Sequence, residues 1–380
     1  MLVMYVTAIA VLLSLQLHAA ETTASPRLRL SLPLDYQIHQ RATRAEGTIA
    51  VAGSLAAGAE YPVTLEAKLI GAFPAVGWQK LADLDSGATG FRAEMNAPAG
   101  GWYRLEVRAR RENAIAAEVF VEHVGVGEVF VVAGQSNAAN HGEEKQQTKT
   151  GLAAAFHHGQ WRLANDPQPG ASGNGGSFIP PFADAVAERF KVPVGIIAVG
   201  VGATSVREWL PRGTRFPAPP TLTGRVTQLA TGEWESRGTL FDILVARMKE
   251  AGPHGFRAVL WHQGESDANQ KDASRTLSGE LYRKFLEQLI RDSRHEAGWE
   301  IPWFVAQASY HTPEDAGSTE IRAAQKALWK SGIALEGPDS DALVGDLREH
   351  GGKGVHFSGK GLREHGARWA DAVSRWLEGH

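Results

Sequence analysis

The chain has 380 residues, enough for two domains at roughly 150 residues each or for one large one. Its 43% hydrophobic and 21% charged residues can build a large core, which excludes a mainly disordered chain. Lys and Arg number 39 against 42 Asp and Glu, for a net charge of -3, so no nucleic acid or anionic membrane surface is expected as a partner. The absence of Cys excludes disulfides, thiol catalysis and Cys-ligated zinc.

In chain order, the first feature is an apolar run, Val6–Leu17, followed by the small residues Ala19 and Ala20. Residues 1–20 therefore predict a signal peptide and an exported protein, periplasmic or extracellular, although no Lys or Arg precedes Arg27. No later segment reaches 18 apolar residues, so no integral membrane span is predicted in the mature chain. Residues 26–124 carry short alternating runs punctuated by glycines: Leu28, Leu30, Leu32 and Leu34, then Ile49–Val51, Val63–Leu65, Tyr103–Val107 and Ala117–Val121. Strands at that spacing predict a β-sandwich accessory domain.

Beyond residue 125 the pattern changes to alternating strands and helices. Glu128–Ala133, Val194–Val199, Arg257–His262 and Pro302–Ala308 read as buried strands. Phe182–Phe190, the stripe Leu240, Phe241, Leu244, Val245 and Met248, and the stripe Leu277, Leu281, Phe285 and Leu289 read as helices, the last with Asp272 as its expected N-cap. Glu320–Lys330 and a C-terminal stripe from Leu362 to Trp376 complete the set. The alternation predicts residues 126–380 as an α/β domain with a central parallel sheet and helices on both faces, with reactive groups gathered beyond the carboxyl ends of the strands. Asp166–Pro181, rich in Pro, Gly, Ser and Asn, reads as a surface loop and a candidate wall of the site.

Three clusters carry residues suited to acyl chemistry. Gly134-Gln135-Ser136-Asn137 follows a strand, and a serine on such a turn presents its hydroxyl beside unpaired backbone N–H groups that can stabilise an oxyanion. Alone it is as consistent with a simple helix cap. Trp261-His-Gln-Gly-Glu-Ser-Asp267 ends another strand, where Gln263 can donate an amide hydrogen and Glu265 or Asp267 can accept from a histidine; alone it is a polar loop. His356, in Gly354-Val-His-Phe-Ser358, can take a serine proton and return it to a leaving alcohol, but a single histidine among 14 is more often structural.

Together, Gly-Gln-Ser-Asn at 134–137, His-Gln-Gly-Glu at 262–265 and His-Phe-Ser at 356–358 resemble the sialate O-acetylesterase family within the SGNH-hydrolase class of carbohydrate esterases, and Gly202-Ala-Thr-Ser-Val-Arg-Glu-Trp209 is similar to that family's glycine-containing second block. The resemblance covers about residues 126–375. It implies an SGNH-type three-layer sandwich, Ser136 as nucleophile, His356 as general base and acid, and an oxyanion hole from the N–H groups of Ser136 and Gly202 with the Gln263 side chain. The implied reaction removes acetyl groups from sugar hydroxyls through an acyl-serine and needs no cofactor and no metal. Gln135, Asn137 and Arg207 are the expected substrate contacts, Arg207 to an acidic sugar or a substrate hydroxyl, with a plain ion pair equally consistent.

Two positions depart from the pattern. Ala203 stands where a second glycine is common, and Lys353 stands where the family often has the aspartate that orients the histidine. Lysine cannot accept the imidazole N–H. Glu265 is the preferred replacement as third member; Asp346 or Glu349 folding back from the same loop, or a backbone carbonyl that leaves a Ser–His dyad, stay open. The alternative reading is a non-catalytic carbohydrate-binding protein on an esterase scaffold. Trp161, Trp209, Trp234 and Trp261 could stack on sugars, with core packing as the default. Gly200-Val-Gly202 lacks the rest of a dinucleotide loop, and His350, His356 and His365 do not have the spacing of a metal site.

Overall fold

The computed structural model describes residues 28–55, 62–71, 75–85, 87–88 and 90–380. The predicted signal peptide at 1–20 lies outside the described residues.

The N-terminal strands are β1 (Leu28–Leu32), β2 (Gln37–Gln40), β3 (Glu46–Leu55), β4 (Val63–Ile70), β5 (Val76–Leu84), β6 (Gly90–Pro98) and β7 (Gly100–Arg111), followed by the long β8 (Ala114–Gly134). β1, β3 and β6 form one antiparallel sheet, while β5, β4 and β7 pair in series onto the first half of β8. The alternation predicted here is visible in β4, where Val63, Leu65, Ala67 and Leu69 are buried and the residues between them are not. Both layers bury their apolar faces in one core that includes Ile49, Val51, Leu65, Leu105, Val107 and Val124.

The expected boundary near residue 125 falls inside β8. One 21-residue strand passes from the antiparallel layer into the middle of the second half, so both halves share an 11-stranded mixed sheet rather than a purely parallel one. The parallel part consists of β9 (Ala153–His157), β11 (Val194–Ala198), the end of β8, β15 (Ala258–His262), β16 (Trp303–Gln307) and β17 (Leu335–Asp339) in that spatial order, with the antiparallel β10 (Gln160–Leu163) on its edge. A small separate sheet holds β12 (Arg215–Phe216), β13 (Val226–Gln228) and β14 (Trp234–Ser236).

Strand residues alternate between two apolar layers. Val129, Val131, Val259, Trp261, Trp303 and Val305 pack against α2 (Thr239–Ala251), α3 (Gly279–Ala297) and α4 (Thr319–Lys330). Phe130, Val132, Ala258, Leu260, Phe304 and Ala306 pack against α1 (Ile179–Phe190) and α6 (Gly359–Gly379), while α5 (Glu349–Gly352) is a single kinked turn. α3 begins later than Asp272 suggested: Asp272 caps a short 3-10 turn at Ala273–Arg275, and Ser278 accepts from Leu281 N–H to cap α3 itself. At the amino end of the parallel strands the buried Glu128 accepts from Arg41 Nε at 2.6 Å and Arg257 Nε at 2.7 Å, which ties the N-terminal strands to the central sheet. No helix among the described residues is long and apolar enough to cross a membrane.

Candidate active site

The three clusters meet because adjacent parallel strands end together. Gly134 of β8 stands directly opposite His262 of β15, and β11 on the other side of β8 leads into Val199–Gly202. The following loops from β8, β11, β15, β16 and β17 bring Ser136, Gly202, Glu265, His311 and His356 to one cavity of about 900 Å³. This is the carboxyl edge where open α/β sheets place their ligand sites.

Gly134 makes the turn that carries Ser136 possible. Its φ of 131° is a conformation open to glycine, and a Cβ there would lie 2.0 Å from the His262 carbonyl oxygen. After it, Ser136–Ala138 forms one 3-10 turn, pinned by Gln135 N–H donating to His262 O and Ala138 N–H donating to Gln135 O. Ser136 is 5% exposed, and its N–H and Oγ have no hydrogen-bond partner among the described residues. Gly202 lines the same cavity, and its N–H donates to Ser172 Oγ at 2.7 Å. Ser172 is the residue of the Asp166–Pro181 segment that lines the cavity, and the end of that segment, from Ile179, is already the first turn of α1.

His356 is supported by its own loop. Its Nδ1 lies 2.8 Å from Glu349 Oε1, its backbone N–H donates to the same oxygen, and Glu349 N–H donates back to His356 O. Three successive residues with left-handed φ, His350 (53°), Gly351 (66°) and Gly352 (91°), reverse the chain so that a carboxylate seven positions upstream reaches the ring. Gly354 leaves room for it, since a Cβ there would sit 2.2 Å from Glu349 Cγ. Arg348 fastens the loop to the body: the buried guanidinium donates to the carbonyls of Leu343, Ser340 and Val355 and lies over the rings of Tyr310 and Phe357. Burial lowers its pKa to about 10, with the nearby carboxylates of Glu265, Asp341 and Glu349 opposing that shift.

The carboxylate beside the His356 ring is Glu349, not the preferred Glu265, which has no hydrogen bond or ion pair to His356 among the described residues. Glu265 is 3% exposed beneath the nucleophile turn, where its Oε1 accepts from Asn137 Nδ2 at 2.9 Å and lies 3.3 Å from His262 Nε2. Burial would raise its carboxyl, but the hydrogen bond and charge of His262, with the Asn137 amide, outweigh that and hold the pKa at about 2.

Gln263, expected as an oxyanion donor, does not present its amide to the cavity. It is fully buried, and its amide hydrogens go to Asp267 Oδ2 at 2.7 Å and Thr204 O at 3.1 Å, with Gln135 Oε1 also 3.3 Å away. Asn137, an expected substrate contact, has its Nδ2 committed to Glu265 and to Val355 O. Arg207 is the ion pair left open as its other reading. It is fully buried and holds Asp267, Ser205 Oγ and the carbonyls of Ala218, Pro219 and Arg275, bracing the loop that follows β11. Of the expected contacts only Gln135 faces the cavity, with its Oε1 held by Ser266 N–H.

Sequence reasoning missed His141 and His311. His141 Nε2 lies 3.0 Å from Ser172 Oγ, and its ring centroid is 5.5 Å from that of His356. Burial, then the charge of His356, lowers its pKa, with Glu349 opposing. His141 lies five residues after Ser136 with no motif around it, so nothing in its local pattern marks it. His311 bridges Asp315 and the Glu265 carbonyl. Trp209 and Trp261 are fully buried, and neither Trp161 nor Trp234 lines the cavity. Among the described residues no group of three or more His, Asp or Glu is placed to hold a metal ion.

Comparison with known proteins follows from this geometry. A curated relative, a probable carbohydrate esterase of Arabidopsis thaliana, is 27% identical over 186 residues, which are 44% of this chain and 64% of the relative. The chain thus spans less than two thirds of that relative's length. The crystal structure of a carbohydrate acetylesterase from Xanthomonas citri superposes with a TM-score of 0.55 at 18% identity, covering 93% of this chain and 76% of that one, which shows a common fold. Residues 126–375 match the family described as carbohydrate esterase, sialic acid-specific acetylesterase (SASA), and with about two thirds of its length inside that match the chain belongs to this family of carbohydrate esterases.

Proposed function

We propose that the protein is a serine-type carbohydrate O-acetylesterase that hydrolyses acetyl esters on glycans. The observation that carries the reading is the Glu349–His356 pair, 2.8 Å apart, on the same cavity as Ser136 and Gly202. In the proposed reaction Ser136 Oγ attacks the acetyl carbonyl while His356 Nε2 takes its proton and Glu349 holds the Nδ1–H, keeping the ring in the required tautomer. The developing oxyanion is met by Ser136 N–H and by Gly202 N–H, the latter once the Ser172 hydroxyl turns aside. His356 returns the proton to the leaving sugar oxygen. It then takes a proton from the water that attacks the acyl-serine and gives it to Ser136 Oγ as the acyl bond breaks, so acetic acid, which ionises to acetate, and free enzyme result.

Gln135, His141 and Ser172 are the residues placed to meet the sugar. The rival reading, a non-catalytic sugar-binding protein, rested on Lys353 standing where an aspartate is expected, and Glu349 supplies a carboxylate for that role. Export is the reading for residues 1–20, on the strength of Val6–Leu17 and the small residues after it. The test is acetate release from a panel of acetylated glycans and from a chromogenic acetate ester. Activity that disappears in Ser136→Ala is the expected result. A wild-type protein that binds acetylated glycans but releases no acetate would overturn the proposal.

A further inference from the structure

With Gln263 and Glu265 outside the roles expected of them, the His-Gln-Gly-Glu segment needs another explanation, and the hydrogen inventory around His262 supplies one. The Trp369 indole N–H can only donate, and it points at His365 Nε2 from 3.0 Å. His365 Nε2 is therefore an acceptor. His262 Nδ1 lies 3.0 Å from that same atom, and with that nitrogen an acceptor the contact is a hydrogen bond only if His262 Nδ1 carries the hydrogen. The Trp369 and His262 donors then share its one lone pair, and His365 Nδ1 carries a hydrogen without a partner among the described residues. On the other side of the ring, His262 Nε2 lies 3.3 Å from both Ser340 Oγ and Glu265 Oε1. The Ser340 hydroxyl hydrogen is spent on Gln307 O at 2.7 Å, leaving its oxygen as an acceptor. Glu265 Oε1 already receives the Asn137 amide. Every neighbour of His262 Nε2 is thus an acceptor, and this nitrogen carries a hydrogen as well.

We propose that His262 and Glu265 form a buried imidazolium–carboxylate pair that acts as a positioning device, using Asn137 as a strut between the nucleophile turn and the histidine loop. The strut is visible in the geometry. Asn137, next to Ser136, donates from one Nδ2 to Glu265 Oε1 at 2.9 Å and to the carbonyl of Val355, next to His356, at 3.2 Å. Turning the amide round would aim its oxygen at two acceptors, so the carboxylate fixes which way Asn137 faces. His262, Glu265, Asn137, His365 and Trp369 are each 5% exposed or less, so water does not substitute for these bonds.

The surrounding charges agree. Burial, followed by the charges of His262, Arg348 and Arg368, holds His365 well below its ordinary pKa and therefore neutral. Arg348, itself facing Asp341 and Glu349, is the other cation close to Glu265. The proposal rests on the Ser136–His356 reading for its catalytic consequence but not for its protonation state.

The test has two readouts. In protein labelled at the histidine ring nitrogens, with the resonances assigned through His262→Gln, both nitrogens of His262 should show attached hydrogens at neutral pH; a singly protonated His262 in the wild type overturns the pair. That measurement needs no functional variant to fold. In Glu265→Gln, His262 should lose one ring hydrogen, and kcat on a chromogenic acetate should fall by roughly 10²-fold with KM within about twofold, the scale expected when reacting groups are misplaced by about an ångström. Glu265→Asp, which keeps the charge, should recover both the spectrum and part of kcat. A folded Glu265→Gln with unchanged kcat overturns the positioning role, whereas esterase activity near the wild-type level in Ser136→Ala would overturn the nucleophile instead.

Discussion

The two loops that carry Ser136 and His356 are held by different means. The nucleophile turn is an extension of the sheet: Gly134 is still in register with His262, and the turn's buried residues sit on the ends of two strands. The histidine loop has little regular structure, and its shape comes from side chains rather than from a strand ladder, namely Glu349 to His356, Arg348 to three carbonyls, and a run of left-handed residues. The first kind of support makes a site that fails only when the fold fails. The second kind can be loosened without unfolding anything, so rate and stability should separate in the histidine loop and move together in the nucleophile turn.

The largest expected effect removes the nucleophile without touching either support. Ser136→Ala should lower kcat by roughly 10⁴-fold or more with an unmoved melting curve, measured by acetate release and calorimetry. Next comes the acid. Glu349→Gln should cost roughly 10²–10⁴-fold in kcat, the range expected when a triad histidine loses the partner that sets its tautomer. A loss under about fivefold would show that the carboxylate is dispensable and that a Ser–His dyad carries the reaction.

A glycine in each loop then sharpens the contrast. Gly354→Ala should keep the fold and lower kcat by at least roughly tenfold, because its Cβ displaces the Glu349 side chain. Gly134→Ala meets backbone at 2.0 Å and a φ of 131°, and should cost roughly 2–4 kcal/mol of stability, seen in chemical denaturation. If Gly134→Ala instead leaves stability intact, the two loops are not held differently.

The smallest effect is a control at the other end of the sheet. His39 of β2 has a buried Nε2 without a hydrogen-bond partner among the described residues, and burial lowers its pKa from 6.5 to about 4. The unfolded chain takes up its proton first as pH falls, so the stability this residue contributes is present above pH 6.5 and is lost as pH drops toward about 4. His39→Gln should flatten that part of the stability–pH curve and leave the acetate-release rate at neutral pH unchanged.

Much of the catalytic half was legible because its signals are local. Buried parallel strands are continuous apolar runs, and the strands at 194–198, 258–262 and 303–307 stand where those runs predicted them. The proposed nucleophile stood out because a serine after a glycine at a strand end is itself a physical device. The proposed acid did not. Glu349 was one of several open candidates, and its selection depends on three left-handed residues, of which His350 gives no such signal in the sequence. Gln263, Asn137 and Arg207 were not legible for one reason: their polar groups are spent on partners as distant in the chain as Glu265 from Asn137, and chain-local patterns do not show which donors are already engaged.

By itself the sequence determined the order of elements, the serine and histidine, and the edge of the sheet on which they had to meet, since periodicity and turn chemistry act over a few residues. Only the tertiary structure decided which carboxylate holds the imidazole, which amides are free to face a ligand, and that one strand runs through both halves of the protein. Those outcomes depend on competition among donors and acceptors brought together by folding, where a group already hydrogen-bonded in a dry interior cannot also serve the cavity beside it.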